Sequence, residues 1–254
     1  MNYFPTASAR FFTFSLFTFH FSLKQRNSHS SFFILHSSFK KAALPADINI
    51  IQQMKIIIIT TPDIRQGETA IINALFQEGL QRLHLRKPSA TASQIEEYIN
   101  QIDPAYRSRI VLHDHHDLVR MMHLGGVHLN SRNPLPPTWL AETTHPITIS
   151  RSCHSVAEAR EQLPHSDYIF LSPIFDSISK QGYHSAYTEA ELRQAAEEGI
   201  LTGRTYALGG ISLTNLPTLH RLGFQGVAIL GDLWSRPIPA ILPHFRAYLS
   251  AIKA

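Results

Sequence analysis

The chain has 254 residues and carries 23 Lys and Arg against 19 Asp and Glu, a formal net charge of +4. Residues 1–53 account for this excess, because they hold five basic residues and a single acidic one, Asp47. Residues 54–254 are therefore neutral overall, and the basic balance does not indicate a nucleic-acid partner. The single cysteine, Cys153, excludes an internal disulfide framework and is typical of a reducing compartment, so we expect a cytoplasmic protein.

Residues 1–53 differ from the rest of the chain in composition. They contain ten of the 15 Phe and no Gly. No apolar run in them reaches the roughly 20 residues that a transmembrane helix needs. Thr, Ser and His interrupt the apolar core that a signal peptide requires. We expect a spurious or disordered extension without a membrane role, and we expect the folded protein to begin at Met54.

From Met54 onward, short apolar runs alternate with amphipathic segments. Lys55–Thr61 is rich in β-branched residues, as in a parallel strand that is covered on both faces. Glu68–Glu78 has helical periodicity and is followed by Gly79. The other predicted strands are Arg82–Arg86, Arg109–His113, Gly126–Asn130, Pro146–Ser150, Asp167–Ser172, Thr205–Leu208 and Gln225–Leu230. The other predicted helices are Thr91–Gln101, Asp114–His123, a short one near Trp139, Ser155–Leu163, Thr188–Glu198, Ser212–Leu222 and Pro239–Ile252.

Eight strands that alternate with eight helices predict a single-domain (β/α)₈ TIM barrel over residues 54–254. A doubly wound open sheet is the rival, but it usually has a Gly-rich loop after its first strand. Here the first strand ends in Thr60-Thr61-Pro62, and the paired glycines Gly209 and Gly210 follow strand seven. Barrels build phosphate sites at that place, which favours the barrel.

Polar residues recur at and just past the C-terminal ends of the predicted strands. In a barrel these ends meet at one face. The set is cationic and rich in hydrogen-bonding groups with few carboxylates, so it favours a phosphate or diphosphate ester as ligand. Its members are His84, Arg86, Lys87, His113, Asp114, His128, Asn130, Asn133, Arg151, Ser152, His154, Ser177, Ser179, Lys180, Gly209, Gly210 and Gly231.

Some of these residues have plainer interpretations. Arg86 ends an apolar strand, so its charge needs a ligand or an ion pair with a neighbouring strand. Asp114 either contacts metal or substrate or caps the helix that follows. His128 lies in an apolar strand and is interpreted as a hydrogen-bonded core histidine. The run His113–His116 does not favour zinc, because adjacent ligands at a helix start point apart. Cys153 is expected to point into packing.

Seven motifs follow one another along residues 54–254: His84-Leu-Arg-Lys87, Leu112-His-Asp114, Gly126-Val-His-Leu129, Ser152-Cys-His154, Asp167–Phe175 with Ser177-x-Ser-Lys180, Ala207-Leu-Gly-Gly-Ile211 and Gly226–Leu230. In this order and spacing they resemble the thiamine-phosphate synthases and their thiazole tautomerase relatives. The resemblance implies condensation of 4-amino-2-methyl-5-pyrimidinylmethyl diphosphate with a thiazole phosphate, giving thiamine phosphate and diphosphate. It also implies Mg²⁺ as cofactor, which neutralises the departing diphosphate.

The resemblance assigns a role to most residues of this set. It implies catalytic roles for Ser152, His154 and Lys180 and metal positions at Asp114 and Asn133. Substrate contacts are implied at His84, Arg86, Lys87, His113, Ser177, Ser179, Gly209, Gly210 and Gly231. The chain departs from the family pattern at three places. His84 stands where the family motif has Gln, and Pro88 stands where it has Lys, with Lys87 one position earlier. Asn133 stands where the family has its second metal-binding Asp.

Two alternatives remain open at this point. The segment Arg151-Ser-Cys-His154 matches the tautomerases, in which the His moves a proton without a metal. A non-catalytic binder of thiazole or thiamine phosphates would keep the phosphate glycines and lose the metal site. All three hypotheses imply phosphorylated small-molecule ligands, no nucleic acid and no membrane, and they allow a homodimer.

Overall fold

The computed structural model describes residues 54–176 and 185–253. The predicted N-terminal extension, residues 1–53, lies outside the described residues. Three predicted site residues, Ser177, Ser179 and Lys180, also lie outside them. The eight predicted strands all fall within the two described ranges.

Eight parallel strands form a closed barrel in which each strand pairs with its neighbours in chain order and the last pairs with the first. The predicted (β/α)₈ TIM barrel is confirmed, and the open sheet is excluded because the sheet has no edge. The strands are β1 (Lys55–Ile59), β2 (Arg82–Leu85), β3 (Ile110–Leu112), β4 (Gly126–Leu129), β5 (Thr148–Cys153), β6 (Tyr168–Leu171), β7 (Thr205–Leu208) and β8 (Gly226–Ile229).

Helices connect the strands and cover the outside of the barrel. Two of them begin at capping boxes, Thr91 with Gln94 and Thr188 with Glu191, in which each side chain bonds the other residue's backbone N–H. Of the helices in the described ranges, none has the length and apolar character needed to cross a membrane. The α-helices are α1 (Glu68–Gln77), α2 (Ala92–Asn100), α3 (Asp117–Met121), α4 (Val156–Gln162), α5 (Glu189–Glu197), α6 (Leu216–Arg221), α7 (Gly231–Trp234) and α8 (Ile238–Ala251).

Alternate strand residues point into the lumen of the barrel, as the pleat of a strand requires. Ile57 of β1 packs there in one cluster with Tyr168 and Phe170 of β6. The lumen positions of β2 and β4 carry His84 and His128, which are fully buried and contact the Phe170 ring. The larger apolar core lies between the strands and the helices. The lumen therefore combines apolar packing with buried polar groups.

Strand β5 is longer at its C-terminal end than predicted. It ends at Cys153, three residues beyond Ser150, because its pairing with β6 continues to the register Cys153↔Leu171. Ser152 is therefore a strand residue that faces the barrel mouth. Cys153 points the other way into packing, as predicted, and burial raises the pKa of its thiol to about 12.

The third helix starts later than predicted. It begins at Asp117 with His116 as its N-cap residue, so the interpretation of Asp114 as the cap is wrong. His115 adopts a left-handed conformation with φ of 53° and separates Asp114 from the helix. Asp114 is thereby left on the loop at the barrel mouth.

Candidate active site

A pocket of about 450 Å³ opens at the C-terminal ends of the strands. Residues that follow or end β2, β3, β5, β7 and β8 contribute to its wall, so one mouth gathers side chains that are far apart in sequence. Eight of the residues predicted at the strand ends line it: Arg86, His113, Asn130, Ser152, His154, Gly209, Gly210 and Gly231.

Arg86 is the principal free cation of this pocket. Its backbone is fixed by two hydrogen bonds to the Thr60 hydroxyl. The Arg86 N–H donates to Thr60 Oγ1 at 3.0 Å, and the same hydroxyl donates to the Arg86 carbonyl oxygen. Within residues 54–176 and 185–253, its guanidinium makes no hydrogen bond or ion pair. Burial lowers the pKa of Arg86 from its usual value, and the positive charge of Arg132 lowers it further. A half-buried guanidinium without a hydrogen-bond partner in the described residues is suited to an anionic ligand.

Asp114 and Asn133, the expected metal positions, are bonded to each other and to Arg132. Arg132 donates from Nε and Nη2 to the two Asp114 oxygens, each at 3.1 Å. Asn133 Nδ2 donates to Asp114 Oδ1 at 3.0 Å and to the His113 carbonyl at 2.9 Å. Asp114 Oδ1 thus accepts from two donors and Oδ2 from one, and Asn133 directs its N–H group toward the carboxylate. In this arrangement the pair does not fit Mg²⁺, which needs free oxygen ligands.

Gly209 and Gly210 form a sharp turn after β7. Both have positive φ, 94° and 65°, which favours glycine. A Cβ on Gly210 would lie 2.4 Å from the Asp176 carbonyl oxygen, so the turn also needs glycine for close packing against the β6 loop. The backbone N–H groups of Gly209, Gly210 and Gly231 make no hydrogen bond to the described protein. They are suited to bind a phosphate group at the β7 and β8 side of the mouth.

The pocket floor is made by His113 and Ser152, which rest on a buried polar network. His113 Nε2 lies 2.9 Å from His84 Nδ1, and His128 Nε2 lies 2.8 Å from Ser152 Oγ. Burial lowers the pKa of His84 and His113 well below 6.5 and that of His128 to about 3. The three histidines are therefore neutral near pH 7. His128 is the hydrogen-bonded core histidine that the sequence predicted.

His154 lies at the side of the pocket with its ring held in one orientation. Its Nδ1 lies 3.2 Å from the Ser172 carbonyl oxygen and 3.3 Å from the Ser172 hydroxyl, so it donates to the first or accepts from the second according to its tautomer. A histidine oriented in this way can accept a proton from a bound ligand.

Two predicted substrate contacts lie away from the pocket. His84 is fully buried in the lumen below His113, because its position in β2 points inward. Lys87 is turned to the outside of the barrel wall, where its Nζ lies 2.5 Å from Glu68 Oε2 and both side chains are buried. Burial lowers the pKa of Lys87, and the Glu68 hydrogen bond and charge oppose that shift. As arranged, both residues support the site without lining it.

Several residues of the site were not predicted. Arg132 and Asp232 line the pocket, and Ser150 and Tyr168 extend the network under its floor. Asp232 Oδ2 accepts hydrogen bonds from His244 Nε2 and the Tyr248 hydroxyl, both at 2.6 Å, which tie α8 to the mouth. The sequence signal for Arg132 and Asp232 was their place just after a predicted strand.

Comparison with known proteins identifies the family. A family model described as thiamine monophosphate synthase matches residues 56–233. The chain belongs to this family. The resemblance stated from the sequence is confirmed, and so is its expected class, a transferase enzyme of thiamine biosynthesis.

Individual members of the thiamine monophosphate synthase family show the same relationship. The solved structure of a thiamine phosphate pyrophosphorylase from Bacteroides thetaiotaomicron is 38% identical, with a TM-score of 0.70 over 79% of this chain and 98% of that chain. A thiamine-phosphate synthase from Pediococcus pentosaceus is 24% identical over 168 residues, which are 63% of this chain and 77% of the relative. One from Synechococcus sp. strain WH7803 is 24% identical over 198 residues, which are 75% of this chain and 55% of the relative.

Proposed function

We propose that the chain condenses 4-amino-2-methyl-5-pyrimidinylmethyl diphosphate with a thiazole phosphate to give thiamine phosphate and diphosphate. The observation that carries this proposal is a single pocket with two separate anion-binding regions. Arg86 and Arg132 supply positive charge on the β2 and β4 side. The N–H groups of Gly209, Gly210 and Gly231 serve the β7 and β8 side. Two phosphorylated substrates need two such regions around one reacting centre.

The reaction breaks the C–O bond to the diphosphate, and the electron pair leaves with the diphosphate oxygen. The pyrimidinylmethyl carbon becomes cationic, and the thiazole nitrogen donates its lone pair to form the new C–N bond. Arg86 stabilises the negative charge that develops on the leaving group. Ile59, Phe170 and Leu208 give the pocket an apolar wall that excludes water from the cationic carbon.

Mg²⁺, which the family resemblance implies, would supply positive charge to the diphosphate. Asp114 and Asn133 do not fit Mg²⁺ as they lie, because Arg132 occupies both carboxylate oxygens. We assign the charge neutralisation to Arg86 and Arg132 and expect the reaction to proceed in EDTA. The Arg132 side chain is 41% exposed, so the two arginines can contact a ligand that enters from solvent. An absolute requirement for Mg²⁺ would contradict this assignment.

The test is incubation of the full chain with both substrates, in Mg²⁺ and in EDTA, followed by identification of the products. We expect thiamine phosphate and diphosphate in equal amounts. Reactions with one substrate omitted are the controls and should give no thiamine phosphate. No product under either condition would overturn the proposed condensation.

A second candidate function is thiazole tautomerase activity, and one observation favours it. His154 lines the pocket with its ring held at Nδ1 by Ser172, and in its Nδ1–H tautomer its Nε2 accepts a proton. Turnover of the thiazole isomer alone, lost in His154→Gln, would support this activity. Binding of the phosphate ligands without turnover in either assay would instead support a non-catalytic binder.

We also propose a cytoplasmic location for this activity. The observation behind it is a buried, free thiol at Cys153, which is typical of a reducing compartment. The homodimer and the absence of a nucleic-acid partner stay predictions from the sequence. Light scattering of the purified chain measures the first, and a binding assay with random-sequence DNA and RNA measures the second.

A further inference from the structure

The lumen below the pocket contains an unusual amount of hydrogen-bonding chemistry. Barrel interiors are generally filled by bulky branched side chains. Here His84, His128, Tyr168 and Ser150 are all buried and bonded to one another or to the floor residues. A buried polar network rigidifies a site when every donor and acceptor is satisfied. The direction of each hydrogen bond in this network can therefore be deduced from the groups at its ends.

The first chain of hydrogen bonds runs from Tyr168 to His113. The Tyr168 hydroxyl interacts with Ser150, Arg82 and Thr148, and in the described part of the protein it lies 2.7 Å from His84 Nε2. Burial raises the pKa of Tyr168, so the hydroxyl keeps its proton and donates it to His84 Nε2. Neutral His84 then carries its proton on Nδ1 and donates it to His113 Nε2 at 2.9 Å. His113 bonds His84 through its Nε2, so it carries its proton on Nδ1, and its side chain lines the pocket.

The second chain runs from Ser152 to the β4 backbone. Ser150 Oγ contacts both the Val127 carbonyl oxygen, at 3.3 Å, and His128 Nδ1, at 2.8 Å. The carbonyl only accepts, so both contacts are hydrogen bonds when Ser150 donates to it and accepts from His128 Nδ1–H. His128 Nε2 is then unprotonated and accepts the Ser152 hydroxyl proton at 2.8 Å. Ser152 has no proton left for a ligand and presents lone pairs to the pocket.

We propose that Tyr168 and Ser150 are positioning residues that fix the hydrogen-bond polarity of the pocket floor through His84 and His128. They make His113 a donor and Ser152 an acceptor. The ligand edge that fits this pair has a ring nitrogen acceptor next to an amino N–H donor. An oxo-heterocycle in the same orientation places N–H against the donor and C=O against the acceptor. The floor thus selects amino over oxo heterocycles, and the substrate part of this inference rests on the proposed function.

The first test reads the tautomers directly, with no substrate present. Long-range ¹H–¹⁵N spectra of the full chain near pH 7, treated with EDTA, distinguish Nδ1–H from Nε2–H histidines. The peaks are assigned with single histidine variants. We expect Nδ1–H at His84, His113 and His128. An Nε2–H tautomer at His128 or His84 would overturn the proposed polarity, whether or not the protein turns over any substrate.

The second test changes the residue that sets one polarity. In Ser150→Ala the His128 Nδ1–H loses its acceptor, so we expect His128 to switch to the Nε2–H tautomer and Ser152 to become able to donate. The ratio of kcat/KM for the amino substrate to that for its 4-oxo analogue should fall about tenfold or more, since unpaired buried polar groups dominate such discrimination. An unchanged tautomer and an unchanged ratio in Ser150→Ala would overturn the proposal.

Ser166→Ala is the matched control for that variant. Ser166 is also a buried serine, and its hydroxyl has no hydrogen-bond partner in the described structure. This variant should leave both the tautomers and the substrate ratio unchanged.

If Ser150→Ala does not fold, Tyr168→Phe tests the chain of hydrogen bonds from Tyr168 to His113. We expect His84 to lose its Nδ1–H tautomer in this variant. Retention of that tautomer would contradict the proposal. If the wild type makes no thiamine phosphate, the proposed function fails while the tautomers still test the polarity.

Discussion

Arg86 and Lys87 are adjacent in sequence, yet their charged groups lie on opposite sides of the barrel wall. Arg86 lines the pocket at the mouth, whereas Lys87 is buried against Glu68 of α1 on the outside of the strand. The pleat of the chain explains this, because successive side chains leave a strand on opposite faces. One cation is therefore available to a ligand and the other holds a helix to the barrel. Their variants should fail in different ways.

Replacement of Arg86 by Ala should reduce kcat for thiamine phosphate formation by about 10²–10³-fold, as for removal of one donor to a developing negative charge. Stability should change little, because the guanidinium has no protein partner in the described residues. Steady-state kinetics and thermal unfolding measure the two effects. Arg193→Ala, which removes an exposed cation paired to Glu189, is the control and should keep full activity. A fully active Arg86→Ala enzyme would contradict the role given to this residue.

Replacement of Lys87 by Met should destabilise the fold by about 3–5 kcal/mol, because it leaves the buried Glu68 carboxylate unpaired. Denaturant unfolding of the wild type and the variant measures this loss. The double variant Glu68→Gln with Lys87→Met should recover part of the stability. A loss below about 1 kcal/mol would show that the pair behaves like a surface ion pair.

Replacement of Gly210 by Ala should cost more than a left-handed backbone alone. A Cβ there would lie 2.4 Å from the Asp176 carbonyl oxygen and 2.7 Å from Phe175 Cβ. Gly79 is the matched control, because its φ is +106° and a Cβ there meets nothing within 4 Å. We expect Gly79→Ala to lose roughly 1–2 kcal/mol and keep its affinity for inorganic phosphate. Gly210→Ala should lose more stability and bind phosphate at least tenfold more weakly, and equal effects would contradict the close-packed turn.

The stability of the protein should fall in acid because of the lumen histidines. Burial lowers the pKa of His84 and His113, and that of His128 to about 3, from the ordinary 6.5. Below pH 6.5 the unfolded chain binds protons that the folded chain does not, so stability is complete above this pH and is lost as the pH falls. Each histidine contributes a slope of about 1.4 kcal/mol per pH unit.

His84→Gln tests this pH dependence with the residue that the family motif has at this position. The variant lacks one of the three histidines that stay neutral in the fold. The free energy of unfolding, measured between pH 6.5 and 4.5, should therefore decline with a slope that is smaller by about 1.4 kcal/mol per pH unit than in the wild type. Identical slopes would mean that His84 is protonated in the folded protein, contrary to its complete burial.

The sequence was enough to predict the barrel and the meeting of its strand ends. The apolar runs that became β1, β6 and β8 are continuous, and such runs are typical of strands covered on both faces. Strand β5 was harder, because Arg151-Ser-Cys153 breaks the apolar pattern although the ladder continues through it. The C-terminal end of β5 is set by its pairing with β6, and the local sequence pattern carries no information about that pairing.

The direction of individual side chains was only partly predictable. Burial of Lys87 depends on Glu68, which lies 19 residues earlier and reaches it only when α1 packs on the barrel. The bidentate contact of Arg132 with Asp114 joins the loops after β3 and β4, so it follows from loop conformation. The lumen network needs the register of four strands to bring Ser150, His128, His84 and Tyr168 together.

The most direct test of the central claim follows both phosphorylated substrates in one reaction by ³¹P NMR. With the full chain in EDTA, the account predicts loss of the pyrimidinylmethyl diphosphate signals and equal gain of free diphosphate and thiamine phosphate. Arg86→Ala should slow all three changes together. Persistence of both substrates unchanged, with and without added Mg²⁺, would contradict the assignment of this pocket to the condensation.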